Sequence, residues 1–137
     1  MIKSDLPIFS KTIKVKSEEI DNLDHVNNVV YVKWVNDIAV EHWTTVATQK
    51  LLDTYDWFMI KHTLEYKGAA LLGDVVKIIT QVGRATNVRY ERLIEIRNAV
   101  TDQLLVKSIS DWCAVDKQGK PQRISDELRS VFEVSTS

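Results

Sequence analysis

The stretch from Asn27 to about Gln49 constrains the fold more than any other part of the chain. Neither glycine nor proline interrupts it, and its apolar residues recur at helical spacing: Tyr31, Trp34, Val35, Ile38, His42 and Val46. Asn27 and Asn28 are good N-cap residues, so we predict one long helix that begins beside them. Its apolar face is widened by Val29, Val30, Val32 and Trp43. A helix with so wide an apolar face is predicted to be largely surrounded by protein.

The residues outside this stretch predict strands. From Ile8 to Val15, apolar residues alternate with polar ones and β-branched residues are enriched. After Asp53, apolar residues recur at every second position in four further segments. The sequence KGAALLGD is predicted to be a connection, turns are predicted at Gly83–Asn87 and at Thr101–Asp102, and Ser125 starts a short helix. One face of the second strand is predicted to carry Phe58, Ile60, His62, Leu64 and Tyr66. This places His62 among core residues, as a hydrogen-bonded core histidine.

The order of elements is a strand, a long helix and four strands in the style of an antiparallel meander. One helix and one sheet must bury each other's apolar faces. We therefore predict an α+β architecture in which a curved antiparallel sheet wraps around one long central helix. At 137 residues, the chain is expected to form a single domain over residues 1–137.

Charge and composition narrow the function classes. The formal net charge is −1, so no global basic field favours nucleic acid or an anionic membrane. No stretch approaches the length of a membrane span, and the N-terminal residues lack a secretory signal pattern, so we expect a soluble, cytoplasmic protein. A single cysteine, Cys113, excludes a disulfide within the chain, and the three histidines lack metal-ligand spacing. We expect no metal and no cofactor.

One motif points to a chemistry. Asp21 stands four residues before the run His25-Val-Asn27-Asn28, which is followed by Tyr31. This segment resembles the acyl-thioesterases of the hotdog superfamily, especially plant acyl-carrier-protein thioesterases and bacterial acyl-CoA thioesterases of the 4-hydroxybenzoyl-CoA thioesterase-like group. The segment from Trp112 to Pro121 is similar to the last strand and exit turn of that family. The resemblance implies a hotdog fold, a homodimer or homotetramer, and an active site at the subunit interface near the helix start.

The resemblance also implies roles for the motif residues. Asp21, His25 and Asn27 are the catalytic candidates, while Asn28 and Tyr31 are candidates for binding substrate. His25 either orients the carboxylate or closes the loop, one asparagine is expected to be the N-cap, and Tyr31 lines the acyl channel or the core. The plant enzymes have an asparagine where this chain has Leu23, so a mechanism that needs that amide does not carry over intact. Asp24 is a second acid in the same loop.

Thioester chemistry suits these residue types. A carboxylate can act as a general base on water, or it can attack the carbonyl to form a mixed anhydride. The amides at a helix start can stabilise the developing oxyanion. Glu65 and Asp37 could serve in a different scheme, but solvated or interface roles are expected for both. We therefore expect hydrolysis of an acyl-CoA or acyl-ACP thioester; a hotdog protein that binds acyl groups or acts as a scaffold without turnover is the alternative. Acyl length and carrier stay open.

Overall fold

The computed structural model describes residues 2–3 and 5–134. It contains five strands, three α-helices and one short 3-10 turn. In chain order these are β1 (Phe9–Lys14), the 3-10 turn (Ser17–Glu19), α1 (Asn28–Val46), α2 (Gln49–Thr54), β2 (Asp56–Tyr66), β3 (Val75–Thr86), β4 (Arg89–Asn98), β5 (Leu104–Val115) and α3 (Asp126–Glu133).

The predicted long helix is α1, which has 19 residues. Asn27 is its N-cap, because the Asn27 Oδ1 accepts a hydrogen bond from the Val29 amide at 3.0 Å. The helix ends at Val46, earlier than predicted. Thr48 then caps α2, with its hydroxyl accepting from the Leu51 amide at 3.2 Å, so Gln49 belongs to the next helix.

The sheet covers only one side of α1. The buried residues of the helix are Tyr31, Trp34, Val35, Ile38, Ala39, His42 and Trp43. The other side carries Val29, Val32 and Val40, which are 72%, 37% and 50% exposed. The prediction of a helix largely surrounded by protein is therefore wrong for the single chain, since one sheet can cover only the face that packs on it.

The sheet has the strand order β1-β3-β4-β5-β2, and all neighbours are antiparallel. The predicted meander is confirmed for β3, β4 and β5. It is wrong for β2, which pairs with β5 at the far edge of the sheet instead of with β3. The segment between β2 and β3 therefore crosses the sheet, and β1 and β2 form its two edges.

A β-bulge between Met59 and Lys61 changes which residues of β2 share a face. Phe58 pairs with Cys113, whereas His62 pairs with Ser110, and these two partners lie on opposite faces of β5. The predicted face of β2 is therefore wrong, and His62 is exposed instead of being a core residue. The buried histidine is His42, which is 2% exposed.

Strand β3 is longer than predicted and continues to Thr86, through most of the predicted Gly83–Asn87 turn. The chain reverses at Asn87, which has a positive φ of 47°. Between α1 and the sheet the core divides into two clusters, one around Tyr31 and Trp34 and another around Trp43 and Phe132. Among the described residues, no helix combines the length and apolarity that crossing a membrane requires.

Candidate active site

The loop before α1 folds back on itself. Ile20 forms an antiparallel bridge with Val26, and the Asp21 amide donates to the His25 carbonyl at 2.8 Å. The chain turns through Asp24, which has a positive φ of 62°. Aspartate tolerates this left-handed conformation better than most residues do. The loop therefore holds Asp21 and His25 opposite each other at the base of the helix.

The Asp21 carboxylate is partly committed to this loop. Its Oδ1 accepts hydrogen bonds from the Leu23 amide at 2.9 Å and the His25 amide at 3.2 Å. Its Oδ2 has no hydrogen-bond partner among the described residues. The side chain is half-buried, so the carboxylate has a fixed orientation and one oxygen free to meet a ligand or water.

Fewer helix amides are free than the sequence suggests. The Val29 amide donates to the Asn27 side chain, and the Val30 amide donates to the Asn27 carbonyl at 2.9 Å. The Asn28 amide bonds none of the described residues. It lies at the positive end of the α1 dipole, where a developing negative charge is stabilised. Asn28 therefore supplies the amide that an oxyanion could use.

Tyr31 is a buried anchor, 2% exposed. Its hydroxyl oxygen accepts a hydrogen bond from the Ala70 amide at 2.9 Å. Burial is the main cause that raises the pKa of Tyr31, and the charge of Asp21 adds to the rise. The Ile20–Val26 bridge and the hydrogen bond from the Asn27 amide to the Glu19 carbonyl at 2.9 Å hold the Asp21 loop at the start of α1. Substrate contact by Tyr31 stays a prediction.

The crossing segment between β2 and β3 also reaches the site, which sequence reasoning missed. The Val26 amide donates to the Ala70 carbonyl at 3.0 Å, and His25 forms a bridge with Leu71. The pair Leu71-Leu72 could have indicated this contact. Two adjacent large apolar residues are unusual in a segment that only connects two strands.

Exposed apolar side chains cluster around this end of α1. We call them the apolar rim; they are Leu23, Val29, Tyr66, Leu71 and Leu72, with exposures of 70%, 72%, 45%, 47% and 60%. The rings of Tyr66 and Tyr31 lie 5.8 Å apart, which brings the end of β2 to the helix start. A rim of this kind suits an acyl chain or a second protein surface.

The other predicted site residues take simpler positions. The backbone of His25 closes the loop, its side chain is exposed, and no hydrogen bond joins its ring to Asp21 within the described part of the chain. The prediction that one asparagine is the N-cap is confirmed for Asn27. Catalytic roles for His25 and Asn27 stay predictions.

Two further acids, Glu65 and Asp37, are solvated, as expected. Glu65 pairs with Lys67 at 3.0 Å, and Asp37 pairs with Lys33 at 2.7 Å. Across residues 2–3 and 5–134, no group of three or more His, Cys, Asp or Glu side chains is arranged to hold a metal ion.

A five-stranded antiparallel sheet packed against one long helix is the hotdog fold. Within that fold class, residues 3–114 match the family described as the acyl-ACP thioesterase C-terminal domain. The chain belongs to this family. No curated protein sequence matches the chain.

Solved structures agree on the fold. A 1,4-dihydroxy-2-naphthoyl-CoA thioesterase from Synechocystis superposes with a TM-score of 0.78 at 13% identity, over 92% of this chain and 96% of that one. The probable thioesterase YbaW from Escherichia coli gives 0.77 at 20% identity, over 89% and 94%. The 12:0-ACP thioesterase from Umbellularia californica gives 0.77 at 16% identity, over 90% of this chain and 48% of that one. The hotdog prediction is confirmed.

Proposed function

We propose that this protein hydrolyses an acyl thioester, carried on coenzyme A or an acyl carrier protein, to the free acid and the thiol. One observation carries the proposal: an oriented Asp21 carboxylate, whose Oδ2 bonds none of the described residues, lies in the loop at the start of α1, where the Asn28 amide also bonds none of them. Family membership supports thioester hydrolysis as the class of reaction.

In the proposed reaction Asp21 acts as a general base. Its Oδ2 removes a proton from water while the water oxygen bonds to the acyl carbon, and the carbonyl oxygen takes up negative charge beside the Asn28 amide. The C–S bond then breaks, and the leaving thiolate takes the proton from Asp21, which returns the carboxylate to its starting state. A positioned base contributes typically 10²–10⁴-fold in rate, roughly, and a single oxyanion donor contributes about 10²–10³-fold.

The alternative step is attack by the carboxylate to give a mixed anhydride, which water then cleaves. A single turnover in ¹⁸O-water detects an anhydride that water cleaves at the Asp21 carbonyl carbon, because that cleavage leaves the label in Asp21. We expect the label in the acid product and none in Asp21, as read by mass spectrometry of the peptide. Label in Asp21 would indicate the anhydride route.

We further propose that two copies of the chain pair along β2. This strand has 11 residues, and its outer edge carries unpaired backbone groups in the single chain. Phe58 and Ile60 on this strand are 66% and 43% exposed. Burial of this edge by a second copy would bring the apolar rim close to an interface, which is where the acyl group would bind.

Thiol release tests the proposed activity. The purified chain is given acyl groups of increasing length on coenzyme A and on an acyl carrier protein, and the free thiol is measured. We expect release for at least one range of lengths. If no thiol is released from any thioester while acyl-CoA still binds, the protein is an acyl-binding or scaffold protein and the proposal fails.

A further inference from the structure

A cavity of about 320 Å³ lies between the second half of α1, the sheet and α3. Its wall is largely aromatic and includes Trp43, Trp57, Tyr90, Trp112 and Phe132. Trp43 follows Asn27 by 16 residues along the chain, which corresponds to about 24 Å of helix. The cavity is therefore distant from Asp21, and the proposed reaction does not use it.

Arg92 lines this cavity and is only 5% exposed. Its Nη1 donates to the Thr80 hydroxyl at 2.9 Å and lies 2.9 Å from the His42 Nδ1. Its guanidinium carbon stands 5.5 Å from the centre of the Phe132 ring. Its Nε and Nη2 bond none of the described residues.

No carboxylate of the described residues forms an ion pair with Arg92. Burial lowers the pKa of Arg92 to about 10, so the group stays charged at neutral pH. His42 does not add charge, because burial, with a smaller contribution from the charge of Arg92, lowers its pKa to about 3. A buried cation without an anion is costly, and an anion bound to its free N–H groups would offset part of that cost.

Two carboxylates also line the cavity, and both have other partners. Asp56 accepts from the Lys117 ammonium at 3.3 Å, and Glu91 accepts from the Arg84 amide at 3.4 Å. Neither carboxylate forms an ion pair with Arg92 in the part of the chain that the structure describes.

We propose that the cavity binds a free apolar carboxylic acid, with the carboxylate on Arg92 and the apolar body among the aromatic rings. An engineered cavity of about 150 Å³ holds benzene, so this one has room for an acid of about ten carbon atoms. Such an acid also belongs to the product class of the reaction proposed above. The binding proposal does not depend on that reaction.

Decanoate and decan-1-ol, which differ in the charged head group, test the proposal. Three of the four tryptophans line the cavity, so tryptophan fluorescence reports binding, and calorimetry gives the affinity. We expect decanoate to bind at least tenfold more tightly than decan-1-ol to the unmodified protein. Equal affinity for the two, or no decanoate binding at millimolar concentration, would overturn the proposal.

Variants localise the site. Arg92→Met should weaken decanoate binding at least tenfold and leave decan-1-ol binding unchanged. Arg89→Met is the control, because it removes an arginine from the same strand whose side chain is 47% exposed. It should change the affinity for neither decanoate nor decan-1-ol. Val40→Phe adds a ring at the half-exposed wall of the cavity and should weaken both ligands. Unchanged decanoate affinity in Arg92→Met or Val40→Phe would overturn the assignment.

Different results would contradict the proposed hydrolysis and the proposed acid-binding site. Asp21→Asn, which should abolish most thioester hydrolysis, is expected to bind decanoate with wild-type affinity. Loss of decanoate binding in a folded Asp21→Asn protein would place the acid at the active site and overturn the inference of a second site.

Discussion

The side chains at the start of α1 divide between holding the loop and offering groups to a substrate. The Asn27 side chain accepts a hydrogen bond from the Val29 amide, and the Tyr31 hydroxyl oxygen accepts one from the Ala70 amide. Asp21 does both, since Oδ1 holds the loop and Oδ2 is free of described partners. We therefore propose Asn27 as a positioning residue and keep the chemistry for Asp21 and the Asn28 amide.

Asn27→Ala should lower the free energy of unfolding by about 1 kcal/mol, because the helix loses its cap. Asn27→Ser keeps a capping oxygen and should retain both stability and turnover. Urea unfolding and thiol release measure the two effects, with the exposed loop variant Asn22→Ala as the control. A large loss of turnover in a stable Asn27→Ser protein would give the amide a direct role and contradict the positioning account.

His42 makes stability depend on pH. Its pKa is about 3 in the fold, against about 6.5 in the unfolded chain, so the unfolded state binds more protons between these values. The contribution of the neutral, buried His42 to the free energy of unfolding is fully present above pH 6.5 and is lost as the pH falls towards 3. Between pH 7 and pH 5 the free energy of unfolding should fall by about 2 kcal/mol because of His42.

Urea unfolding of His42→Gln at both pH values checks this. Glutamine keeps an acceptor for Arg92 and does not titrate, so the variant should lose about 2 kcal/mol less than wild type. The exposed His62→Gln is the control and should keep the wild-type dependence. Identical pH dependence in His42→Gln and wild type would contradict the burial argument.

At the residue scale, the sequence predicted the features that depend only on residues close along the chain. An N-cap at Asn27 or Asn28 could be predicted, because a cap needs only an amide two residues away. The position of Leu71 beside His25 could not, since it depends on a crossing connection. His62 was misplaced because a bulge leaves no mark in an alternating pattern.

At the scale of elements, the sequence predicted helix and strand identity better than neighbour relations. The apolar period predicted α1 and the strands β3 and β4. It could not show that β2 pairs with β5, because alternation describes which residues share a face and says nothing about the partner strand. That pairing leaves β2 as an edge with exposed apolar residues.

Ile60→Lys should weaken the proposed self-association at least tenfold, because it places a charge on the β2 edge where two copies would meet. Val100→Lys is the matched control, since Val100 is 86% exposed in the turn between β4 and β5. Light scattering across a concentration series gives the oligomeric state. If Ile60→Lys and Val100→Lys associate like wild type, β2 is not the interface.

At the scale of the whole molecule, α1 separates two regions of different chemistry. Its start carries a carboxylate, a free amide and the apolar rim. Its second half borders an aromatic cavity with a guanidinium that forms no ion pair with a described carboxylate. The lack of an anionic partner for Arg92 could not be predicted from the sequence, because it depends on how the strands and helices pack together.

The most direct test of the central claim compares kcat in Asp21→Asn and Asp24→Asn. Asparagine keeps the Oδ1 acceptor that holds the loop, so Asp21→Asn removes the base and leaves the fold, while Asp24→Asn neutralises a neighbouring acid at a position that tolerates asparagine. We predict that kcat falls at least about 100-fold in Asp21→Asn and changes little in Asp24→Asn. An unchanged kcat in folded Asp21→Asn would contradict the account.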